Sequence, residues 1–428
     1  MPRITRSRLS LPRGWLLGLC LAPLGVAGAA FAGDRIDALL ERIDKQDEEI
    51  QALRQEVSEL RARGVETAVL KDGAYRRDEG EPPPSEYESP RIVLNVAGQI
   101  NQAFNAAGDG HSTKGYFVDN DVSNTRMRFA GVSTWKEGAQ VGSTLEVAFS
   151  PNPSSDVSQD REIAGDFFQV RRAELWARDD RYGRALFGQG SAAADNVAEY
   201  DLSLVSGPIM YSGVADIVGG LEFRHGKTLT GVHVHDAFFN FDSNRQNRIR
   251  YDSPMAGPVQ VSVSAGSNQR YDAAITFGGD YDRWSGVVLG PFTALGAVGI
   301  YQPNQHGVDY RVAGSWSLLH NASGVSLTFS GGAGPGEGDT PYNLYGKLAW
   351  DGDPLPSGRT GFGVDYTWSE NVSGEGDRGQ SVGISGVQVL QRYGIELYSL
   401  LRWYSVDRHE EPSFHDIVVG TLGARVRF

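Results

Sequence analysis

From residue 91 to the C-terminus, apolar and polar positions alternate with a period of two. Ile92, Leu94, Val96 and Ile100 alternate with Val93, Asn95, Gln99 and Asn101. Val141, Leu145, Val147 and Phe149 alternate with Gly142, Thr144 and Glu146, and Val259, Val261 and Val263 with Gln260, Ser262 and Ser264. Phe362, Val364, Tyr366 and Trp368 face away from Asp365 and Thr367; Ile395, Leu397, Leu401 and Trp403 face away from Glu396, Arg402 and Tyr404. Successive side chains of a strand point to opposite faces. Each stretch therefore predicts a strand with one apolar, aromatic face and one polar, often charged face. About nineteen such strands fit between residues 91 and 428, joined by segments such as Asp179-Asp180-Arg181-Tyr182-Gly183. No helix-length apolar pattern interrupts them, and no fixed-period repeat supports a propeller or β-helix.

The pattern upstream is different. Residues 1–32 carry Arg3, Arg6, Arg8 and Arg13, an apolar core from Trp15 to Val26, and Ala30-Phe31-Ala32. This reads as a cleaved secretory signal peptide, with a core too short to span a bilayer. The single cysteine, Cys20, lies inside it, and Leu19 stands where a lipoprotein signal needs a small residue. Residues 33–63 fit a heptad with Ile36, Ile43, Ile50 and Val57 at a, and Leu39, Gln46, Leu53 and Leu60 at d. The charged pairs Arg42–Asp47, Glu49–Arg54 and Glu56–Arg61 are opposite in sign, as a parallel coiled coil requires. A helix this short is marginal in water without a partner. Residues 64–90, with Pro82-Pro83-Pro84 and many acids, read as a flexible linker.

Composition sharpens the picture. Gly makes up 54 of 428 residues, which suits many strands with tight turns. The net charge is −13, and loss of the four leader arginines takes it to −17, which argues against a nucleic-acid partner. Beyond residue 32 no apolar run approaches the ~20 residues of a spanning helix. A membrane β-barrel is compatible with all of this, because alternating strands average to mild hydropathy. An outer-membrane barrel explains the alternation, the export signal and the strand-end aromatics Trp135, Trp350 and Trp368 together. The ladder must close, since an open edge in lipid leaves backbone groups unpaired. The expected fold is all-β: a transmembrane antiparallel barrel over residues 91–428, with sixteen strands favoured and eighteen possible.

The last strand is the sharpest signal. Gly420, Leu422, Ala424, Val426 and Phe428 share a face that ends in a terminal aromatic. Leu422, Val426 and Phe428 resemble the signal read by the barrel-assembly machinery. Four stretches resemble the Gram-negative general porin family: Ile92 to Gly98; Arg171-Arg172-Ala173-Glu174-Leu175-Trp176 with Leu186 to Gly190; Asn247-Arg248-Ile249-Arg250-Tyr251-Asp252-Ser253-Pro254; and Gly423 to Phe428. The added N-terminal coiled coil resembles the arrangement of DcaP-like porins. The resemblance implies a homotrimer of water-filled barrels in the outer membrane of a Gram-negative bacterium, set among lipid and lipopolysaccharide. It also implies an inward third loop, which should span about Ser191 to Ser212. The family's usual acidic loop motif is absent.

That loop carries Asp195, Glu199 and Asp201 and no Lys or Arg. Arg126 and Arg128 share a face, as do Arg248 and Arg250; Arg171, Arg172 and Arg311 join them as a basic wall. A lipid-facing Arg would cost roughly 2–4 kcal/mol at mid-depth, so the charged parity belongs to the lumen. An arginine wall facing an acidic loop would set a transverse field that orients polar solutes; the alternative is that these arginines pair structurally with lumen carboxylates. His233 and His235, on one strand face, could begin a metal site, but no third ligand is evident, and none is assigned. Asp119-Asn120-Asp121 could touch a divalent cation near lipopolysaccharide. Gly331 to Gly338 lacks the ending of a phosphate loop and reads as an external loop.

The expected function is passive diffusion of small hydrophilic solutes and ions, with a preference for anions and carboxylates, and with no cofactor. One alternative is an anchor whose coiled coil reaches the cell wall and its peptidoglycan. The other is a barrel enzyme, disfavoured by the absence of a nucleophile signature among only eight histidines.

Overall fold

The computed structural model describes residues 92–280, 284–409 and 413–428. The signal peptide, linker and coiled-coil seam (Ile36, Leu39, Ile43, Ile50, Leu53, Val57 and Leu60) lie outside the described residues. In chain order the strands are β1 (Ile92–Gly108), β2 (Thr113–Asp119), β3 (Arg126–Lys136), β4 (Ala139–Pro151), β5 (Asp166–Asp179), β6 (Gly183–Ser191), β7 (Glu222–His225), β8 (Thr228–His233), β9 (Arg245–Asp252) and β10 (Val259–Gly266). They continue as β11 (Arg270–Phe277), β12 (Val287–Leu289), β13 (Phe292–Tyr301), β14 (Arg311–His320), β15 (Val325–Ala333), β16 (Tyr342–Leu355), β17 (Gly358–Glu370), β18 (Arg378–Leu390), β19 (Ile395–Asp407) and β20 (Ile417–Arg427).

Eighteen of these form one antiparallel sheet, and β7 with β8 forms a separate hairpin. β2 extends the edge of β1, and β12 extends β13, so sixteen strands make the ring. β20 returns to β1, with Gln99 opposite Arg427 and Gly108 opposite Val418. Phe428 and Gly98 exchange backbone hydrogen bonds at 2.9 and 3.1 Å across this seam. Closure satisfies the backbone that an open sheet would leave bare in lipid.

The period-two pattern sorts the two faces as the alternation predicts. On β19, Leu397 and Leu401 are exposed outward while Glu396, Tyr398, Arg402 and Tyr404 are buried inward. On β17, Phe362, Val364 and Tyr366 face out while Asp365 and Thr367 face in. Leu422, Val426 and Phe428 all lie on the outward face. The turns after β3, β5, β14, β16 and β18 are short, and the C-terminus lies at their end of the barrel. Longer connections, at 152–165 and 302–310, lie at the other end. That asymmetry is typical of outer-membrane barrels, with short periplasmic turns and longer external loops. Residues 334–338 of the glycine-rich stretch belong to that end, while Gly331 and Gly332 continue β15.

The longest insertion, residues 192–244 between β6 and β9, folds into the barrel. It is more than twice the span expected for the inward loop, and it carries the β7–β8 hairpin and short helical turns at Leu204–Ser206, Val214–Ile217 and Val234–Ala237. It has its own apolar core, including Val205, Ile209, Met210, Val218, Leu221, Phe223 and Phe238, packed on Tyr345, Leu400, Tyr404 and Val419 of the wall. Its backbone is fastened to the wall strand by strand. Tyr200 and Leu202 N–H donate to Ser315 and Ser317 Oγ at 2.8 and 3.1 Å. Leu204 N–H donates to Asp351 at 2.9 Å, and Lys347 donates to Met210 O at 2.8 Å. Arg425, Tyr404 and Asn105 donate to the carbonyls of Gly207, Val214 and Ile217. Gly363 makes room on β17, because a Cβ there would come within 2.9 Å of Met210 and Val205.

Candidate functional site

The inward loop packs along β14 to β20 and β1, with its first residues over β9 and β10, and leaves a cavity of about 580 Å³. Arg126 on β3, Arg171 on β5, Arg245 on β9, Arg270 on β11 and Arg311 on β14 line its strand side. Asp195, Glu199, Asp216 and Asp242 line its loop side, with Asp121 at the margin. Phe238, Phe239, Tyr211 and Tyr301 complete it. Five arginines on five strands thus line one cavity with a carboxylate-bearing loop.

A β-bulge delivers part of this row. Glu146 on β4 stands opposite Arg172, and Val147 opposite Val170, so Arg171 is the extra residue of β5. The bulge turns two consecutive arginines toward the lumen, which strict alternation forbids. Glu146 then gathers Arg128 at 2.6 Å, Arg171 at 2.7 Å and Arg126 at 4.0 Å. Arg311 lies over the Phe239 ring at 4.8 Å, and Arg270 over Tyr301 at 4.8 Å. These stacks hold the guanidinium groups beside aromatic rings, and hydrogen bonds fix them further: Arg270 donates to Asn244 and Ser243 at 2.9 and 3.0 Å, and Arg311 to Gln305 at 2.7 Å.

Four expected basic residues lie elsewhere. Arg248 is fully buried and bonded to Glu174 at 2.5 Å, and Arg250 is buried against Asp252 at 2.7 Å and Ala192 O at 2.6 Å. Both point inward as parity demands. The first residues of the loop lie over them, so they brace the loop rather than face the cavity. Arg172 is buried near Glu174 at 3.9 Å. Arg128 faces a smaller recess beside Gln99 and Glu146.

The expected acids also divide. Asp201 is bonded to Lys347 at 2.5 Å and accepts from Thr328 at 3.1 Å, so it fastens the loop to the wall. Asp195 and Glu199 do line the cavity. Burial, and behind it the charges of Asp195 and Asp216, push the Glu199 carboxyl up from the ordinary range, against the pull of Arg245 and Arg171. Burial raises Asp216 to about 7, although the Tyr211 hydroxyl donates to it. Burial, then Glu199 and Asp195, also raise Asp242.

Asp119 and Asn120 are buried inside the barrel, away from its exposed surface. Asn120 donates to Pro208 O and to the Tyr398 hydroxyl, both at 3.0 Å, and Asp119 accepts from Thr125 N–H at 2.9 Å. His233 ends β8 and His235 sits in the Val234–Ala237 turn, so they do not share a strand face. The turn nevertheless stacks their rings 5.1 Å apart.

Two cavity arginines escaped the sequence reading. Arg270 shares inward parity with Asp272, Ala274 and Thr276, against outward Tyr271 and Ile275, a signal present in the sequence. Arg245 has no such signal, because it opens β9 where the strand leaves the loop and parity no longer governs. Asp216 and Asp242 lie beyond the span assigned to the loop.

The family model for Gram-negative porins matches residues 88–407. The chain belongs to that family. This porin is a channel of the outer membrane rather than an enzyme. Among solved structures, it is similar to an anion-selective porin from Comamonas acidovorans, at 12% identity and TM-score 0.53, covering 79% of this chain and 100% of that one. It is similar to Salmonella typhi OmpF, solved with daunomycin, at 10% identity and TM-score 0.50, covering 78% of this porin and 97% of the other. It is also similar to the outer-membrane channel DcaP of Acinetobacter baumannii, at 14% identity and TM-score 0.48, covering 79% and 97%. No curated protein sequence is significantly similar to this porin.

Proposed function

We propose that the barrel conducts small hydrophilic solutes with a preference for anions, carboxylates among them. The observation that carries this reading is the row of Arg126, Arg171, Arg245, Arg270 and Arg311 along one side of the cavity. An arginine keeps its charge at any working pH and offers a planar fork to a carboxylate. The opposing acids are weaker in effect, because Glu199, Asp216 and Asp242 all hold their protons more tightly than free carboxyls. The net field in the narrow region is therefore positive. The chain's overall negative charge counts for little, since exposed charges are screened beyond ~8–10 Å. The test is the reversal potential of single channels in a KCl gradient. Wild type should be anion-selective, and changing Arg245 and Arg270 together to Ser should reduce or reverse that selectivity. A cation-selective wild type, or a double variant with unaltered selectivity, refutes the reading.

We also propose that the mature chain works as a homotrimer. Residues 33–63 would form a periplasmic coiled coil that registers the subunits, and residues 64–90 a linker between coil and barrel. An outer groove lined by Ile92, Gly131, Gly142, Leu175, Trp176 and Phe187 offers a flat apolar face for subunit packing. Small residues in such a face let backbones approach closely within the membrane.

A further inference from the structure

The turn that follows the β7–β8 hairpin brings together three groups for which the pore reading has no use. His233, His235 and Asp236 each present a ligand atom, and these atoms lie within 4.8 Å of one another. His235 Nε2 is 3.2 Å from Asp236 Oδ1, and His233 Nδ1 is 3.1 Å from Asp236 Oδ2. Neighbouring ligands on a tetrahedral zinc ion, each ~2.0–2.2 Å from the metal, stand about 3.3 Å apart. We propose that His233, His235 and Asp236 form a divalent transition-metal site, with zinc as its occupant, on the inward loop at the edge of the pore cavity.

The surroundings argue for a ligand set rather than a chance meeting of polar groups. A metal-binding imidazole normally has its other ring nitrogen oriented by a backbone carbonyl or a carboxylate. His235 Nδ1 lies 2.8 Å from Gly219 O, so it carries the proton and leaves Nε2 with its lone pair toward the cluster. His233 turns Nε2 toward Glu222 Oε1, 3.7 Å away, and its ring and the Asp236 carboxylate close a reciprocal capping box at the start of the Val234–Ala237 turn, which an incoming ion would have to share. Asp236 Oδ2 accepts from the His233 backbone N–H at 2.9 Å, which fixes the carboxylate and leaves Oδ1 to bind. Glu222 is itself held by Gly231 N–H at 2.8 Å. His235 and Asp236 thus each have an outer hydrogen-bond partner of the kind such sites use, and His233 has the Glu222 carboxylate nearby. All three side chains are partly exposed, so an ion can enter from pore water. A fourth position remains for water.

His235 also lines the cavity that holds the arginine row. A bound dication there adds positive charge on the loop side of the cavity, opposite the arginine row; it lowers the field across the pore and raises the positive potential met by a passing anion. The site therefore couples metal occupancy to permeation.

The experiment uses the full chain refolded in detergent. Zn²⁺ is titrated by calorimetry against wild type, His235→Ala and Asp236→Asn, each variant first shown to conduct ions in a bilayer. The expected result is saturable binding of one ion per chain, weakened ~10–100-fold in either variant. Wild type loaded with Co²⁺ should show the strong visible absorption of a four- or five-coordinate ion. Absence of saturable Zn²⁺ binding, wild-type affinity in His235→Ala, or the weak spectrum of hexaaqua Co²⁺ would each overturn the site. The Co²⁺ spectrum decides the question even if a variant fails to fold.

Discussion

Glu146 holds three arginines on one carboxylate, and its removal should affect selectivity and stability in opposite senses. Glu146→Gln leaves Arg126, Arg128 and Arg171 without their shared counter-charge. Anion selectivity should rise, while stability should fall by roughly 2–3 kcal/mol, less than for a fully buried pair because the Arg128 side chain is 40% exposed. Reversal potential and thermal melting check the two halves separately. The loop acids give a pH dependence of defined sign. Asp216 is raised from 3.8 to about 7, and Glu199 is raised too, so both take up protons before an ordinary carboxyl as pH falls. The arginines keep their charge, so anion selectivity should increase between pH 8 and pH 5; a flat profile would contradict the assignment. For folding, a raised carboxyl means that the native state binds the proton more tightly than the unfolded chain. The contribution of Asp216 to stability is then full below about 4 and declines as pH rises to about 7. At this scale parity was a good guide along strands and a poor one at their ends. It placed Arg126 and Arg311 at the cavity, and could not reveal that Arg248 and Arg250 lie beneath the loop, because burial by a distant segment leaves no mark on local alternation.

The inward loop is an element with a core of its own. Gly363 is the narrowest point of its contact with β17, and Gly363→Leu should lift the segment around Val205 and Met210 off the wall. The expected outcome is a lower melting temperature and noisier single-channel current; unchanged current would mean that other anchors hold the loop alone. The barrel was legible from period-two alternation, and the ring of sixteen strands agrees with it. The loop was not legible beyond its first two-fifths, since outside the short β7–β8 hairpin its residues follow neither helical nor strand periodicity. Its landing site did leave a trace. Inward Leu400 follows outward-facing Ser399 and precedes outward Leu401, and inward Val419 follows outward Val418, so apolar doublets break the alternation where the loop packs.

For the whole molecule, Phe428 should matter for assembly and not for permeation. Its ring is exposed on the outer face at the seam, beside Gly98. Its deletion should reduce the amount of protein in the outer membrane, measured by fractionation, while the channels that do form keep wild-type conductance. Native mass spectrometry of the full-length chain should show a trimer, and removal of residues 34–63 should lower its thermal stability. The seam itself has a consequence for biogenesis. The residues that close the ring, 99–108 and 418–427, are separated by more than three hundred positions, so closure carries the largest loop entropy in the chain and comes last. A translocating polypeptide cannot become a smaller working barrel on the way. Until its final eleven residues are delivered, it has two raw edges that neither lipid nor water-filled lumen can satisfy together. Premature termination anywhere upstream should therefore yield a substrate for periplasmic proteolysis and never a leaky pore, so the outer membrane is protected from incomplete channels by the order in which the chain arrives.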